Sequence, residues 1–169
     1  KKCYGGLDLS TTTDLTALAL LFPPQAGLES WVVLFWAWRP EDGTLEAEQR
    51  DHVPYRDWAR AGFLELCPGD MVDFSMVEET VAAVAEEFQL DTLGVDPYLS
   101  RTLTPRLMER GVNVVEIPQD MKNLSPAMKE IERLIRAHQM LHEHNTAARW
   151  CWPCTASMAA PCPSTNWGS

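Results

Sequence analysis

Asp8 stands inside an apolar run, Cys3–Ser10, whose composition is that of a strand. A carboxylate is rarely placed among apolar strand residues without a partner or a cation to replace its lost hydration. Asp96 closes a second strand-like segment, Thr92–Val95, and precedes Pro97, which biases it toward an extended backbone. In open α/β sheets, ligands gather at the carboxyl ends of strands. If the two strands are neighbours, their backbones lie about 4.8 Å apart. Two acids at that spacing could share divalent cations about 3.5–4 Å apart, the arrangement that supports phosphodiester cleavage. Hard oxygen donors favour Mg²⁺ or Mn²⁺, one ion activating a water and the other stabilising the leaving oxygen. Either aspartate alone reads more readily as a turn former; the pair on this strand order carries the chemistry.

Two further groups have suggestive spacing. Lys122, Lys129, Arg133 and Arg136 follow the last expected strand, and the latter three share one face of an expected helix over Ser125–Leu141. They are candidates for contact with DNA phosphates, or else an exposed face paired with Glu130 and Glu132. His138 and His142 fall at i, i+4 on that same expected helix, with His144 and a Cys151-x-x-Cys154 half-site beyond, so a zinc module is a competing reading. The spacing matches no standard finger. Histidines at a solvated helix end are the plainer account.

The elements that must position these residues can be read from periodicity. Cys3–Ser10, Leu15–Phe22 and Trp31–Trp38 are three apolar runs joined by short turns, the pattern of an antiparallel meander. Leu45–Asp51 and Tyr55–Ala61 read as short helices, and Phe63–Leu66 as a short extended piece. The pattern then changes. Ser75–Phe88 reads as an amphipathic helix, with Ser75 and Glu78 forming a capping box. After the Thr92–Val95 strand comes a helix, Ser100–Arg110, closed by Gly111, then a strand, Val112–Ile117. The Ser125–Leu141 helix has Ser125 as cap and Pro126 at its first position. Strands alternating with helices imply parallel βαβ units. The expected fold class is therefore α/β, a mixed sheet of a three-strand antiparallel meander plus parallel strands, flanked by helices.

Composition bounds the function. The chain has 169 residues, 46% hydrophobic and 22% charged, which is the balance of a globular domain. No apolar run approaches the length of a membrane span, and the N-terminus does not read as a signal peptide. Residues 1–96 carry 6 Lys/Arg against 18 Asp/Glu, a net of −12; residues 97–169 carry 8 against 6, a net of +2. The overall −10 argues against a general electrostatic grip on nucleic acid, though not against a local basic face or a grip by another domain. Cys3 and Cys67 read as buried thiols, and five cysteines without a leader suit a reducing compartment.

The segments GGLDLSTTTDLTALALLF, VDFSMVEETV leading to LGVDPY, and LSPAMKEIERLI leading to ARW resemble, in order and spacing, the nuclease domain of the large terminase subunit of tailed bacteriophages. The resemblance covers roughly Gly5–Trp150. It implies a ribonuclease H-like fold and a Mg²⁺- or Mn²⁺-dependent endonuclease that cuts concatemeric viral DNA during packaging. By the same resemblance Asp8 is the first-strand catalytic acid and Asp96 the fourth-strand acid. Asp14 matches a family position beyond the hairpin turn and would assist the metal; as a residue on its own it reads as a turn cap. The implied partners are double-stranded DNA, an ATPase motor domain on the same polypeptide, the small terminase subunit and the portal, in the host cytoplasm.

The departures matter too. The family places a third acid near the start of a C-terminal helix, whereas here no Asp or Glu follows Glu143. The expected organisation is a nuclease domain over 1–150 and a non-native or disordered tail over 151–169, rich in Cys and Pro. That leaves the metal site incomplete and the chain weakly active or inactive. No G-x-x-x-x-G-K-[ST] is present, so the motor would lie elsewhere. Two other readings compete. LDLSTTTD also resembles the phosphate hairpin of sugar-kinase-like ATPases, which need two such domains. A non-catalytic module of the same fold, docking DNA or a partner, is the other.

Overall fold

A computed structural model of the chain describes residues 1–12, 14–98, 101–142 and 145–149. The three apolar runs form the meander: β1 (Lys2–Asp8), β2 (Thr16–Phe22) and β3 (Trp31–Pro40), each antiparallel to the next. Helices α1 (Thr44–Asp51) and α2 (Tyr55–Arg60) lead to β4 (Glu65–Cys67), which returns parallel to the end of β3. Then come α3 (Phe74–Glu87), β5 (Gln89–Val95), α4 (Leu103–Glu109), β6 (Val114–Glu116), α5 (Met121–Arg136) and β7 (Met140–His142). The sheet order is β4-β3-β2-β1-β5-β6, with β7 also on β3. β1, β5 and β6 are mutually parallel neighbours, as the strand–helix alternation requires.

The sheet is covered unequally. On one face Cys3, Leu7, Leu18, Leu20, Trp38, Leu93 and Val95 are buried beneath Val77, Val81 and Val84 of α3 and Leu103 and Leu107 of α4. On the other, Ala37 packs with Tyr55, Trp58 and Ala147, and Val33 packs with Leu134 and Met140. Between these, on the second face of β1, the alternate residues Tyr4, Gly6 and Asp8 are all exposed.

Three local expectations need correction. α3 begins at Phe74 and is capped by Asp73, whose carboxylate accepts from the Ser75 backbone N–H at 2.9 Å. Ser75 is therefore inside the helix, and Glu78 is not half of a capping box; it lies buried and pairs with Arg106 and Arg110 at 2.5 and 2.8 Å. α5 starts four residues before Ser125, capped by Asp120, so Pro126 is internal and cannot donate to the Lys122 carbonyl. The same helix stops at Arg136. His138 adopts a left-handed backbone (φ 54), with His138 N donating to Ile135 O and Gln139 N to Leu134 O, a Schellman ending built without glycine. The chain then becomes β7, where a continuing helix to Leu141 was expected. Gly111 ends α4 in the anticipated way, at φ 84.

Candidate functional site

The β1–β5 ladder pairs Gly6 with Gly94 and Leu7 with Val95. Asp8 is the last residue of β1, and Asp96 is the first residue past β5. Leu7 and Val95 are both buried on the α3/α4 face, so side-chain alternation sends Asp8 to the opposite face, where it is exposed, while Asp96 is half-buried. The two acids thus occupy matched positions at the carboxyl ends of neighbouring parallel strands.

Each acid is held by its surroundings. Asp96 Oδ1 accepts from the Tyr98 backbone N–H at 2.8 Å, which fixes one carboxylate oxygen. Behind Asp8 the turn is clamped by Thr16, a fully buried residue: its Oγ1 accepts from Ser10 N and donates to Ser10 O, both at 2.9 Å. Asp8 has an exposed edge, yet the protein around its carboxyl pushes its pKa up. Loss of hydration is the main cause; a hydrogen bond from the Gln119 side chain opposes it, and the charges of Asp96 and Asp14 add to the rise.

Asp14 lies just beyond the β1–β2 turn, its N–H donating to Ser10 Oγ at 3.2 Å. Its charge reaches Asp8, as does that of Asp96. Among the described residues, however, no group of three or more His, Cys, Asp or Glu is arranged to hold a metal ion. The donor set at hand is a pair of carboxylates with a third nearby. An excess of negative charge on hard oxygen donors fits a divalent cation such as Mg²⁺ or Mn²⁺.

The remaining candidates are scattered. Lys122 is exposed in the first turn of α5, and Lys129 is exposed further along it. Arg133 pairs with Glu130 and Arg136 with Glu132, each at 2.7 Å and on the surface. Two of the four basic candidates are therefore already compensated by acids of their own helix. The helical premise of the zinc reading fails, because His138 lies past the end of α5 and His142 lies in β7; His144, Cys151 and Cys154 lie outside the described residues, as does the whole 151–169 tail. Thr16 and Gln119 were not legible as site residues. Both are neutral and lie at element ends, where no periodicity marks them. Neither of two surface clefts, about 260 Å³ beside Phe35 and Trp38 and about 300 Å³ beside Glu48 and His52, includes the acids.

Comparison with known proteins agrees with this arrangement. The family described as the endonuclease domain of the terminase large subunit matches residues 1–151. The large terminase subunit of Enterobacteria phage HK97 is 30% identical over 153 residues, covering 89% of this chain and 30% of that protein. Protein YmfN of Escherichia coli K12 is 25% identical over 155 residues, covering 88% of this chain and 34% of that protein. The crystal structure of the HK97 bacteriophage large terminase superposes with a TM-score of 0.79 at 30% identity, over 90% of this chain and 32% of that one. The chain thus spans about a third of the length of these relatives. The fold is the ribonuclease H-like mixed sheet of that neighbour.

Proposed function

Because the chain belongs to the terminase large subunit endonuclease domain family, we propose that it is the divalent-cation-dependent DNA-cutting module of a phage packaging machine. What supports this reading is the pair of acids at the carboxyl ends of the neighbouring parallel strands β1 and β5, Asp8 closing the first on its exposed face and Asp96 following the second. An open face suits a substrate as large as a duplex better than a small molecule, which is usually enclosed in a pocket. Asp8 and Asp96 would hold the cation, with Asp14 assisting. A bound Mg²⁺ or Mn²⁺ supplies Lewis acidity at the scissile phosphate and a water of lowered pKa.

The residues of the chain contribute orientation and charge. Tyr98 N–H fixes Asp96 Oδ1 and leaves the other oxygen available. Thr16 holds the turn that follows Asp8. The repulsion of Asp8 by Asp96 and Asp14 raises the affinity of the pair for positive charge. Lys122, at the start of α5, is the basic residue closest in sequence to Gln119 and is the first candidate for a phosphate contact; Lys129, Arg133 and Arg136 extend the same helix. In the full-length protein the substrate is concatemeric double-stranded DNA in the host cytoplasm. An ATPase motor domain of the same polypeptide, the small terminase subunit and the portal are its partners.

Two carboxylates are few for two cations, so cleavage by this chain is expected to be slow. The test is relaxation of supercoiled plasmid in Mn²⁺. Slow nicking that disappears in Asp8→Ala and in Asp96→Ala supports the reading. Nicking that survives both substitutions places the active site elsewhere. The alternative of a docking module that binds DNA without cutting it predicts DNA binding with no nicking at any enzyme concentration. The sugar-kinase-like reading is set aside by the family match over residues 1–151.

A further inference from the structure

The carboxyl end of the sheet, where Asp8 and Asp96 lie, is charged unequally on its two flanks. On the β4 side of the acids three connections meet at this end: residues 9–15 after β1, 41–43 after β3 and 68–73 after β4. They carry Asp14, Glu41, Asp42, Asp70 and Asp73, all exposed, and no lysine or arginine. Backbone hydrogen bonds lock these connections together. Glu41 N donates to Cys67 O at 2.7 Å, Asp42 N to Gly69 O at 3.0 Å and Val72 N to Thr11 O at 3.0 Å. The negative rim is therefore fixed to the frame of the sheet. The β5–β6 flank differs. Tyr98 is 80% exposed, and its backbone N–H is tied to Asp96 Oδ1 at 2.8 Å. Arg101 and Lys122 are exposed, and among the described residues neither is held in an ion pair, whereas Arg106 and Arg110 are taken up by Glu78. These two cations balance Glu116 and Asp120, and Asp120 is engaged in capping α5 through Asn123 N at 2.8 Å.

We propose that a DNA duplex reaches the acid pair over the β5–β6 flank, with Arg101 and Tyr98 as its backbone contacts beside Asp96, and that the interlocked acidic connections keep it off the β3–β4 flank. This rests on the reading of the chain as a DNA-cutting module and adds the side from which the substrate comes. Phosphate charge dominates the affinity of a protein for DNA. The end of β3 is two strands from that of β1, about 10 Å at 4.8 Å per strand, which is also about one Debye length at 0.1 M salt. An approach over that flank would set the phosphates against five carboxylates with no cation to offset them. The acid pair itself is common to both approaches, so the flanks decide between them. An arginine fork matches a phosphate in geometry as well as charge, and a tyrosine hydroxyl donates to phosphate oxygens.

The experiment is fluorescence anisotropy of a labelled DNA duplex titrated with the full chain over a series of salt concentrations, with Ca²⁺ in place of Mn²⁺ and melting temperatures measured alongside. Arg101→Gln is expected to bind more weakly and to flatten the dependence of log affinity on log salt by about 1. Arg101→Lys keeps the charge and is expected to retain the wild-type slope. Tyr98→Ala is expected to weaken binding at every salt concentration without changing the slope. The paired Asp42→Lys and Asp70→Lys variant is expected to keep the wild-type slope, because the duplex does not pass over that flank. A wild-type slope in Arg101→Gln, a slope lost equally in Arg101→Lys, or a slope steeper by about 2 in the paired variant would overturn this path and leave the acid pair standing. Absence of DNA binding by the wild type at low salt would overturn the path as well. Absence of plasmid nicking in addition would overturn the functional reading with it.

Discussion

Asp8 and Asp96 each follow one member of the Leu7–Val95 pair in the parallel β1–β5 ladder, so they lie at the same level at the end of the sheet. The relation is one of register. A shift of one residue in either strand would turn one acid into the α3/α4 core and bring an apolar residue to the surface. Leu7, Val95, Leu93 and Cys3, all buried on that core face, hold the register that keeps the acids together.

The rise in the Asp8 pKa has a definite sign in stability. Its folded-state value lies above the ordinary 3.8, so its favourable contribution is complete below that value and is lost as pH rises through the folded one. At neutral pH, without cations, the ionised carboxylate opposes folding. Asp8→Asn should therefore melt higher than wild type in EDTA at neutral pH, and the difference should vanish in acid below the ordinary carboxylate range. Calorimetric melts across that range check this; a variant that melts lower at neutral pH contradicts it.

Glu78 ties α3 to α4 beneath the strand that carries Asp96. Its side chain is 5% exposed and meets Arg106 and Arg110, which are 49% and 40% exposed. Removing the acid leaves no buried charge behind, since the arginines can turn to water. The expected loss for Glu78→Ala is therefore about 2 kcal/mol, below the figure for a fully buried pair. Urea denaturation measures it. A loss under about 0.5 kcal/mol, the scale of an exposed pair, would show that the network holds nothing.

Thr16→Val keeps the shape of the clamp on the β1–β2 turn and removes its hydroxyl. Ser10 N and Ser10 O then each lose a partner. A stability loss of about 1–2 kcal/mol is expected. Weaker Mn²⁺ binding should accompany it, because the turn that follows Asp8 is freed. Loss of stability with undiminished metal affinity would mean that the clamp serves the fold alone.

Much of this was legible in advance. The apolar runs Cys3–Ser10, Leu15–Phe22 and Trp31–Trp38, joined by short turns, point to the meander, and the strand–helix alternation after residue 75 points to the parallel strands. Element ends were harder, for specific reasons. Asp73 and Ser75 are both good caps, and only the backbone decides that Asp73 takes the role. His138 ends α5 in a conformation that sequence signals by glycine or asparagine, so the helix was drawn too long and β7 was missed. The strand positions of Asp8 and Asp96 followed from pattern. Gln119 did not, because a neutral side chain in a four-residue connection carries no periodicity and no charge.

Tyr55 offers a check on the second core, away from the acids. Burial, together with the hydrogen bond its hydroxyl donates to Asp51 at 3.0 Å, raises its pKa from 10.0 to about 12. Its contribution is thus complete below 10.0 and is lost as pH rises through about 12. Phenolate absorbance should show one late-titrating tyrosine, absent in Tyr55→Phe. A titration in which that substitution removes an early phase would contradict the packing of Tyr55 with Trp58 and Arg39.

The most direct measurement is anomalous diffraction at the manganese edge from crystals of the full chain soaked in Mn²⁺. The account predicts an anomalous peak between the Asp8 and Asp96 carboxylates, at ordinary metal–oxygen distances of about 2.0–2.3 Å. A fully occupied peak elsewhere on the molecule, with the space between Asp8 and Asp96 empty, would contradict it.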